Sequence, residues 1–161
     1  MLRVERSGTD DLGGALAALD VGTNSFHLVV ARPVGADRFE TLTREKEVVR
    51  LGHGGGDMKE LSADAIERGV AALGRMRQIA ASFDAPLRAV ATSAVREAAN
   101  AEVFLDRARQ EAGVDIEVIS GVEEARLIHL GVLQSVPVFD QQVLLIDIGG
   151  GSTEVLLGQR G

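Results

Sequence analysis

The fold is decided by the stretch Ala15-Leu-Ala-Ala-Leu-Asp-Val-Gly-Thr-Asn-Ser-Phe-His-Leu-Val-Val-Ala31. Two short apolar runs, 15–19 and 25–31, flank a link that contains glycine and asparagine, and the second run is rich in β-branched residues. Such a pair of runs is typical of two strands in a hairpin. We therefore predict that the fold begins with a β-hairpin and that Asp20 lies at the end of its first strand.

The remaining pattern alternates between strands and helices. Loose alternation over 39–50 predicts a third strand, and the glycine-rich stretch 51–57 predicts a loop. Beyond this loop we predict three helices: one from Ser62 to about Ser82, one capped by Asn100 and ended by Gly113, and one that begins at Ser120 and ends before Pro137. We also predict strands over 87–92, 115–119, 143–146 and 154–157. The order βββαβαβα followed by a hairpin predicts an α/β fold with a mixed sheet.

Composition excludes several classes of protein. The 161 residues carry a net charge of −7, which argues against a general nucleic-acid-binding surface. Cysteine is absent, which excludes disulfides, thiolate metal sites and cysteine nucleophiles and fits a reducing compartment. The apolar runs are shorter than the ~18 residues that a membrane span needs. We expect a soluble, cytoplasmic protein that binds neither nucleic acid nor membranes.

Two glycine-rich segments, Asp20-Val-Gly-Thr-Asn-Ser25 and Asp147-Ile-Gly-Gly-Gly-Ser-Thr153, share one design. Each follows an apolar strand, begins with Asp, and carries glycines and hydroxyls, a combination that can turn backbone N–H groups toward an anion. An Asp beside a bound phosphate is useful chiefly as a Mg²⁺ ligand. Either segment alone is equally well explained as an ordinary hairpin turn, but together they favour a shared phosphate site. Neither matches a Walker A loop or a dinucleotide fingerprint.

Three further motifs, together with these two loops, resemble the exopolyphosphatase/guanosine pentaphosphate phosphatase (Ppx/GppA) family of the actin, sugar kinase and heat-shock ATPase superfamily. The motifs are Asn24-Ser-Phe-His27, Ala91-Thr-Ser-Ala-Val-Arg96 and Gly121-Val-Glu-Glu-Ala125. The resemblance implies a ribonuclease H-like (actin-like ATPase) lobe with the plan βββαβαβα, and an active site between two such lobes. On that basis we divide the chain into a flexible tail (1–14), a first lobe (15–138) and the opening hairpin of a truncated second lobe (139–161).

The same resemblance implies roles for individual residues. Glu124 would orient and deprotonate the attacking water, with the charge of Glu123 raising its pKa, and Arg96 would clamp phosphate. Mg²⁺ would be held by Asp20, Asp147 and Glu154. The phosphates would be bound by the two loops, through Gly22, Thr23, Asn24, Ser25, Gly149, Gly150, Gly151, Ser152 and Thr153.

Those residues have simpler explanations when the resemblance is set aside. Acidic residues such as Glu123 and Glu124 are common in a first helical turn, and Arg96 could form a surface ion pair with Glu97 or Glu102. His27 lies on an apolar strand, where a structural role is the commoner one. The residues alone therefore leave both interpretations open.

The implied function is metal-assisted hydrolysis, in which water releases the terminal phosphate of polyphosphate or the 5′-phosphate of guanosine pentaphosphate. The alternatives are another ATPase or sugar kinase of the superfamily, or a module that binds polyphosphate or guanosine tetraphosphate without hydrolysis. We expect a polyanionic phosphate substrate and a homodimer. Without a second lobe, we expect the apolar hairpin 142–157 to pair with another copy of the chain or to fold back over its own domain. Either outcome would misplace the second loop relative to Asp20 and Arg96, so we expect the chain alone to be nearly inactive.

Overall fold

A computed structural model describes residues 13–34, 38–52, 60–136 and 142–158. Its elements are β1 (Leu16–Val21), β2 (Ser25–Pro33), β3 (Phe39–Val48), α1 (Ala63–Ser82), β4 (Leu87–Ala91), α2 (Ser93–Glu97), α3 (Ala101–Arg107), β5 (Ile116–Val118), α4 (Gly121–Ser135), β6 (Val143–Ile148) and β7 (Thr153–Gly158). The predicted tail before residue 13, most of the predicted glycine-rich loop, and Pro137 lie outside the described residues.

Five strands form one mixed sheet in the order β3-β2-β1-β4-β5, and β6 and β7 form a separate two-stranded sheet. The first three strands pair antiparallel, whereas β1, β4 and β5 run parallel. The predicted α/β class and mixed sheet are therefore confirmed. The division of the chain into two lobes stays a prediction.

The predicted helix boundaries follow from side-chain caps. The Ser62 hydroxyl accepts a hydrogen bond from the Ala65 N–H at the start of α1, and Ser120 accepts one from Glu123 at the start of α4. After α3, one π-helical turn over Ala108–Ala112 leads to Gly113, whose φ of 64° is the left-handed conformation that glycine adopts without strain.

Two local features differ from the prediction. The helix α2 was not expected, because five residues are too few to show helical periodicity, and the Thr92 side chain makes no capping bond. Asn100 precedes α3 but does not cap it with its side chain. Its amide instead pairs with the backbone of Leu61, donating to the carbonyl and accepting from the N–H, each at 2.8 Å. An amide side chain can do this because it has both a donor and an acceptor.

One face of the large sheet forms the core with α1 and α3. Alternate residues of β1 and β2 are fully buried there, as the period of two requires, and they pack against buried residues of α1 such as Leu73 and Met76. The opposite face is less covered. No residue of α4 is fully buried, and an apolar cavity of about 830 Å³ lies beside Leu16, Val29 and Gln134. In the described part of the chain, no helix is both long and apolar enough to cross a membrane.

A matched pair of substitutions in α1 tests this packing. A Cβ at Gly69 would lie 2.8 Å from the fully buried Phe104 ring, whereas a Cβ at Gly74 would meet nothing within 4 Å. We expect Gly69→Ala to destabilise the fold by about 1–3 kcal/mol through overpacking. Gly74→Ala should stabilise it by about 0.5–1 kcal/mol, because alanine favours helix. Chemical denaturation measures both, and equal effects of the two changes would contradict this packing.

Candidate active site

The first loop leaves the sheet at the carboxyl end of β1. Asp20 pairs with His27 across the β1–β2 ladder, so their side chains lie on the same face. The turn requires glycine at position 22, since a Cβ there would lie 2.8 Å from the carbonyl oxygen of Ser25. The segment that follows β3 holds the backbone of the loop, because the Gly52 N–H donates a hydrogen bond to the Thr23 carbonyl at 3.0 Å.

The second loop lies directly against the first. A Cβ at Gly150 would be 3.1 Å from the Cβ of Asn24 and 3.4 Å from that of Thr23, so the two loops are in contact. At the other end of the hairpin, Gly158 packs against His129 of α4. The hairpin thus folds back over its own domain. The second loop lies beside the first, and the expectation that the chain alone is nearly inactive stays a prediction.

The two loops enclose a cleft of about 300 Å³. Of the residues that we predicted for the site, eleven line it: Asp20, Gly22, Thr23, Asn24, Ser25, Glu124, Asp147, Gly149, Gly150, Ser152 and Glu154. Arg96, Gly151 and Thr153 are not among the lining residues. Four further lining residues were not predicted for the site: His27, Thr92, Ser93 and Ile148. Pairing with Asp20 across the hairpin was the signal that could have revealed His27.

The charge in this cleft is strongly negative. Four of its lining residues are carboxylates, one is an imidazole, and no described lining residue is lysine or arginine. Asp147 and Glu154 also lie directly opposite each other in the β6–β7 ladder, where two like charges repel. The pKa of Asp20 is raised, chiefly because surrounding protein removes part of its hydration, with a further contribution from Asp147 and an opposing one from His27. An anion bound here therefore needs a compensating cation.

Glu124 is held by Arg96. One nitrogen of the Arg96 guanidinium donates to the Glu124 carboxylate at 3.1 Å and to the Ile119 carbonyl at 3.0 Å, while the nearest oxygen of Glu97 is 4.0 Å away. The Glu124 side chain is only 12% exposed. The ion pair of Arg96 is therefore made chiefly with a residue of the cleft and not with the surface residues Glu97 or Glu102.

Burial raises the pKa of Glu124 above its ordinary value. The hydrogen bond from Arg96 opposes this shift, and the charges of Glu154 and Asp20 reinforce it. The expectation that Glu123 would raise this pKa is wrong. Glu123 points to the surface and pairs with Arg126 at 2.8 Å, which lowers its own pKa.

The sequence matches the Ppx/GppA phosphatase family over residues 29–161. The chain belongs to the Ppx/GppA phosphatase family. It is similar to an exopolyphosphatase from Cytophaga hutchinsonii, with 39% identity and a TM-score of 0.85 over 91% of this chain and 47% of that one. It is also similar to the PPX-GPPA enzyme of Aquifex aeolicus, with 32% identity and a TM-score of 0.80 over 91% of this chain and 48% of that one.

These similarities confirm the predicted ribonuclease H-like, actin-like fold within the Ppx/GppA family. The chain spans about half the length of the solved relatives it matches.

The cleft suits a hydrated cation better than a fully protein-bound one. Within the described residues, no three carboxylate or imidazole groups come close enough together to form a ready-made metal cluster. The donors that face the cleft are nevertheless carboxylates, which are the ligands of hard cations. Mg²⁺ commonly keeps several waters and binds through one or two carboxylates and substrate phosphates. Asp20, Asp147 and Glu154 fit that type of binding.

The close approach of Gly150 to the first loop can be tested by adding one methyl group. We expect Gly150→Ala to weaken docking of the hairpin and to speed amide hydrogen exchange in β6 and β7 by roughly tenfold, since overpacking by one methyl costs on the order of 1 kcal/mol. Exchange in β1 and β2 should not change. Gly131→Ala on α4 is the control, because a Cβ there meets nothing within 4 Å. Unchanged exchange in Gly150→Ala would show that the loops are not in contact.

The two Arg–Glu pairs give a matched test of the Glu124 environment. Arg96→Gln removes a contribution that lowers the pKa of Glu124, so this pKa should rise further and its deprotonation should move to higher pH. Arg126→Gln should instead raise the pKa of Glu123 and leave that of Glu124 unchanged. Carboxyl ¹³C NMR titration of glutamate-labelled protein measures both. A rise at Glu124 in the Arg126 variant would contradict the pairing.

Proposed function

We propose that this chain carries the phosphate-binding and water-activating groups of a phosphohydrolase. The substrate would be inorganic polyphosphate, which loses its terminal phosphate, or guanosine pentaphosphate, which loses its 5′-phosphate. The observation that carries the proposal is the convergence of two glycine-rich loops and one partly desolvated glutamate on a single cleft. Membership of the Ppx/GppA family and likeness to a protein named as an exopolyphosphatase support the same chemistry.

Glu124 is the general base of the proposal. A general base works best when its pKa lies near the working pH, which is well above the pKa of an ordinary carboxyl group. Burial raises the pKa of Glu124 in that direction. The Arg96 pair limits the shift and fixes the orientation of the carboxylate. A water molecule between Glu124 and the terminal phosphorus would be deprotonated as it attacks.

The loops are the phosphate-binding part of the proposal. Their backbone N–H groups and the hydroxyls of Thr23, Ser25 and Ser152 would supply donors in a cleft whose carboxylates can only accept hydrogen bonds. Thr153 stays a proposed phosphate ligand outside the lining residues. One guanidinium nitrogen of Arg96 bonds to Glu124 and Ile119, and a second lies 4.0 Å from the nearest oxygen of Glu97. Arg96 does not line the cleft itself, and in the proposal its second nitrogen would turn to a phosphate oxygen. We therefore keep Arg96 as a phosphate clamp in addition to its role at Glu124.

Mg²⁺ would be held by Asp20, Asp147 and Glu154, in part through water. When bound, the cation supplies positive charge that offsets both the carboxylates and the phosphates. This explains why a cleft for a polyanion can be lined by four carboxylates.

Phosphate release by a chimaeric protein tests the function. The chimaera joins this chain to the part of the Cytophaga hutchinsonii exopolyphosphatase that the chain does not cover, and the 161-residue chain alone serves as the comparison. Long-chain polyphosphate, guanosine pentaphosphate and ATP are supplied with Mg²⁺ or with excess chelator. We expect phosphate release from one or both of the first two substrates, only with Mg²⁺. Hydrolysis of ATP with polyphosphate and guanosine pentaphosphate untouched would overturn the proposal.

Adjacent glutamates provide a matched test of the base. Glu124→Gln keeps the volume and hydrogen-bonding atoms of the side chain but cannot accept a proton, so we expect kcat to fall on the order of 10²–10⁴-fold with KM nearly unchanged. Glu123→Gln should leave kcat within about twofold, because that side chain points to the surface. Steady-state kinetics of the chimaera measure both. A larger fall of kcat in Glu123→Gln than in Glu124→Gln would contradict the proposal and identify Glu123 as the base.

A further inference from the structure

A buried pair of hydroxyls joins the first loop to the start of α2. Thr23 Oγ1 and Ser93 Oγ are 3.0 Å apart, although the two residues are separated by 70 positions in the sequence. Thr23 is 9% exposed and Ser93 only 2%. Both line the cleft between the two loops. Ser93 has no part in the function proposed above.

Hydrogen bonding and secondary structure hold the backbone of both residues. The Thr23 carbonyl accepts a hydrogen bond from Gly52, so the backbone of this residue is fixed independently of its side chain. Ser93 is the first residue of α2, which is separated from β4 only by Thr92, and the same short helix carries Arg96 in its last turn. Ser93 therefore presents its hydroxyl from a fixed point at the edge of the sheet.

The direction of this hydrogen bond decides what Thr23 can offer a ligand. A hydroxyl has one hydrogen, while phosphate oxygens and the carboxylates of the cleft accept hydrogen bonds. If Thr23 donated to Ser93, it would have no hydrogen for a phosphate. If Ser93 donates, the Thr23 hydrogen is free to point into the cleft. Thr23 is the more exposed of the two, so it is the better placed to reach a ligand.

We propose that Ser93 is a positioning residue for phosphate binding: it donates to Thr23 Oγ1 and thereby directs the Thr23 hydroxyl hydrogen toward a phosphate oxygen. This inference rests on the proposed function of the cleft. The gain comes from orientation, since Ser93 removes the freedom of the Thr23 hydroxyl to rotate away from the ligand.

Binding of magnesium tripolyphosphate to the 161-residue chain, measured by isothermal titration calorimetry, tests the proposal. Ser93→Ala and Thr23→Val each remove one member of the pair, and we expect each to weaken binding by about tenfold, the loss of one well-oriented hydrogen bond to a charged acceptor. The double variant should bind no more weakly than Thr23→Val, because Ser93 acts only through Thr23. Thr23→Ser keeps the hydroxyl and should bind within about threefold of the unaltered chain.

Ser82→Ala is the control, because the exposed Ser82 hydroxyl donates to the Ile79 carbonyl of its own helix and Ser82 does not line the cleft. It should not change the affinity. Circular dichroism melting shows whether each variant remains folded. If Ser93→Ala is unfolded, Thr23→Ser provides the test, and weak binding by folded Thr23→Ser would overturn the proposal.

The outcomes distinguish a failure of the proposed function from a failure of this inference. If the unaltered chain does not bind magnesium tripolyphosphate, the proposed function fails and this inference with it. If it binds and Ser93→Ala binds equally well, only the inference is overturned. If Ser93→Ala weakens binding by the same factor with or without Thr23, Ser93 acts independently of Thr23 and the positioning role is wrong.

Discussion

The pairing of β1, β4 and β5 in parallel brings three distant chain segments to one edge of the sheet. In the register of these strands Val21, Ala91 and Val118 lie side by side, so the residues that follow each of them leave the sheet together. The first loop follows β1, α2 follows β4, and the start of α4 follows β5. Because parallel strands share a direction, the loop, the Arg96 helix and Glu124 meet at this edge, the usual place for a site in an α/β sheet.

Backbone hydrogen bonds give this edge its shape. The Asn24 carbonyl accepts from both the Val49 and Arg50 N–H groups, at 3.0 and 2.8 Å. Arg50 adopts a φ of 55°, a conformation that costs a residue with a side chain on the order of 1 kcal/mol, and these bonds offset that cost. The loop is therefore held before any ligand binds, which is the condition for donors to act without reorganisation.

The sequence predicted the parts of the molecule that depend on local pattern. Short apolar runs and, over 39–50, loose alternation identified the strands, and Ser62, Ser120 and Gly113 marked helix ends because their capping bonds are local. Eleven of the fourteen residues that the family motifs predicted for the site line the cleft, and their roles there stay predictions.

Side-chain hydrogen bonds that depend on the tertiary structure could not be predicted from the sequence pattern. The amide of Asn100 bonds to Leu61 and not to its own helix, and Glu123 turns to Arg126 while its neighbour turns to Arg96. Adjacent glutamates in a helix point about 100° apart, so identical residues side by side meet different partners once the tertiary structure has formed. The roles of Arg96 as clamp and of Asp20, Asp147 and Glu154 as cation ligands stay predictions.

The crowding of carboxylates in the cleft makes the binding of its ligands a linked equilibrium. At the proposed site, a phosphate that entered alone would meet repulsion from Asp20, Glu124, Asp147 and Glu154. A cation that entered alone would find no cluster of three ligands among the described residues. If both bind as proposed, each ligand would create part of the site of the other, and by thermodynamic reciprocity each would raise the affinity of the other by the same factor. Occupancy of the proposed site would therefore follow the product of the two concentrations, so that a fall in free cation would release the phosphate chain as well.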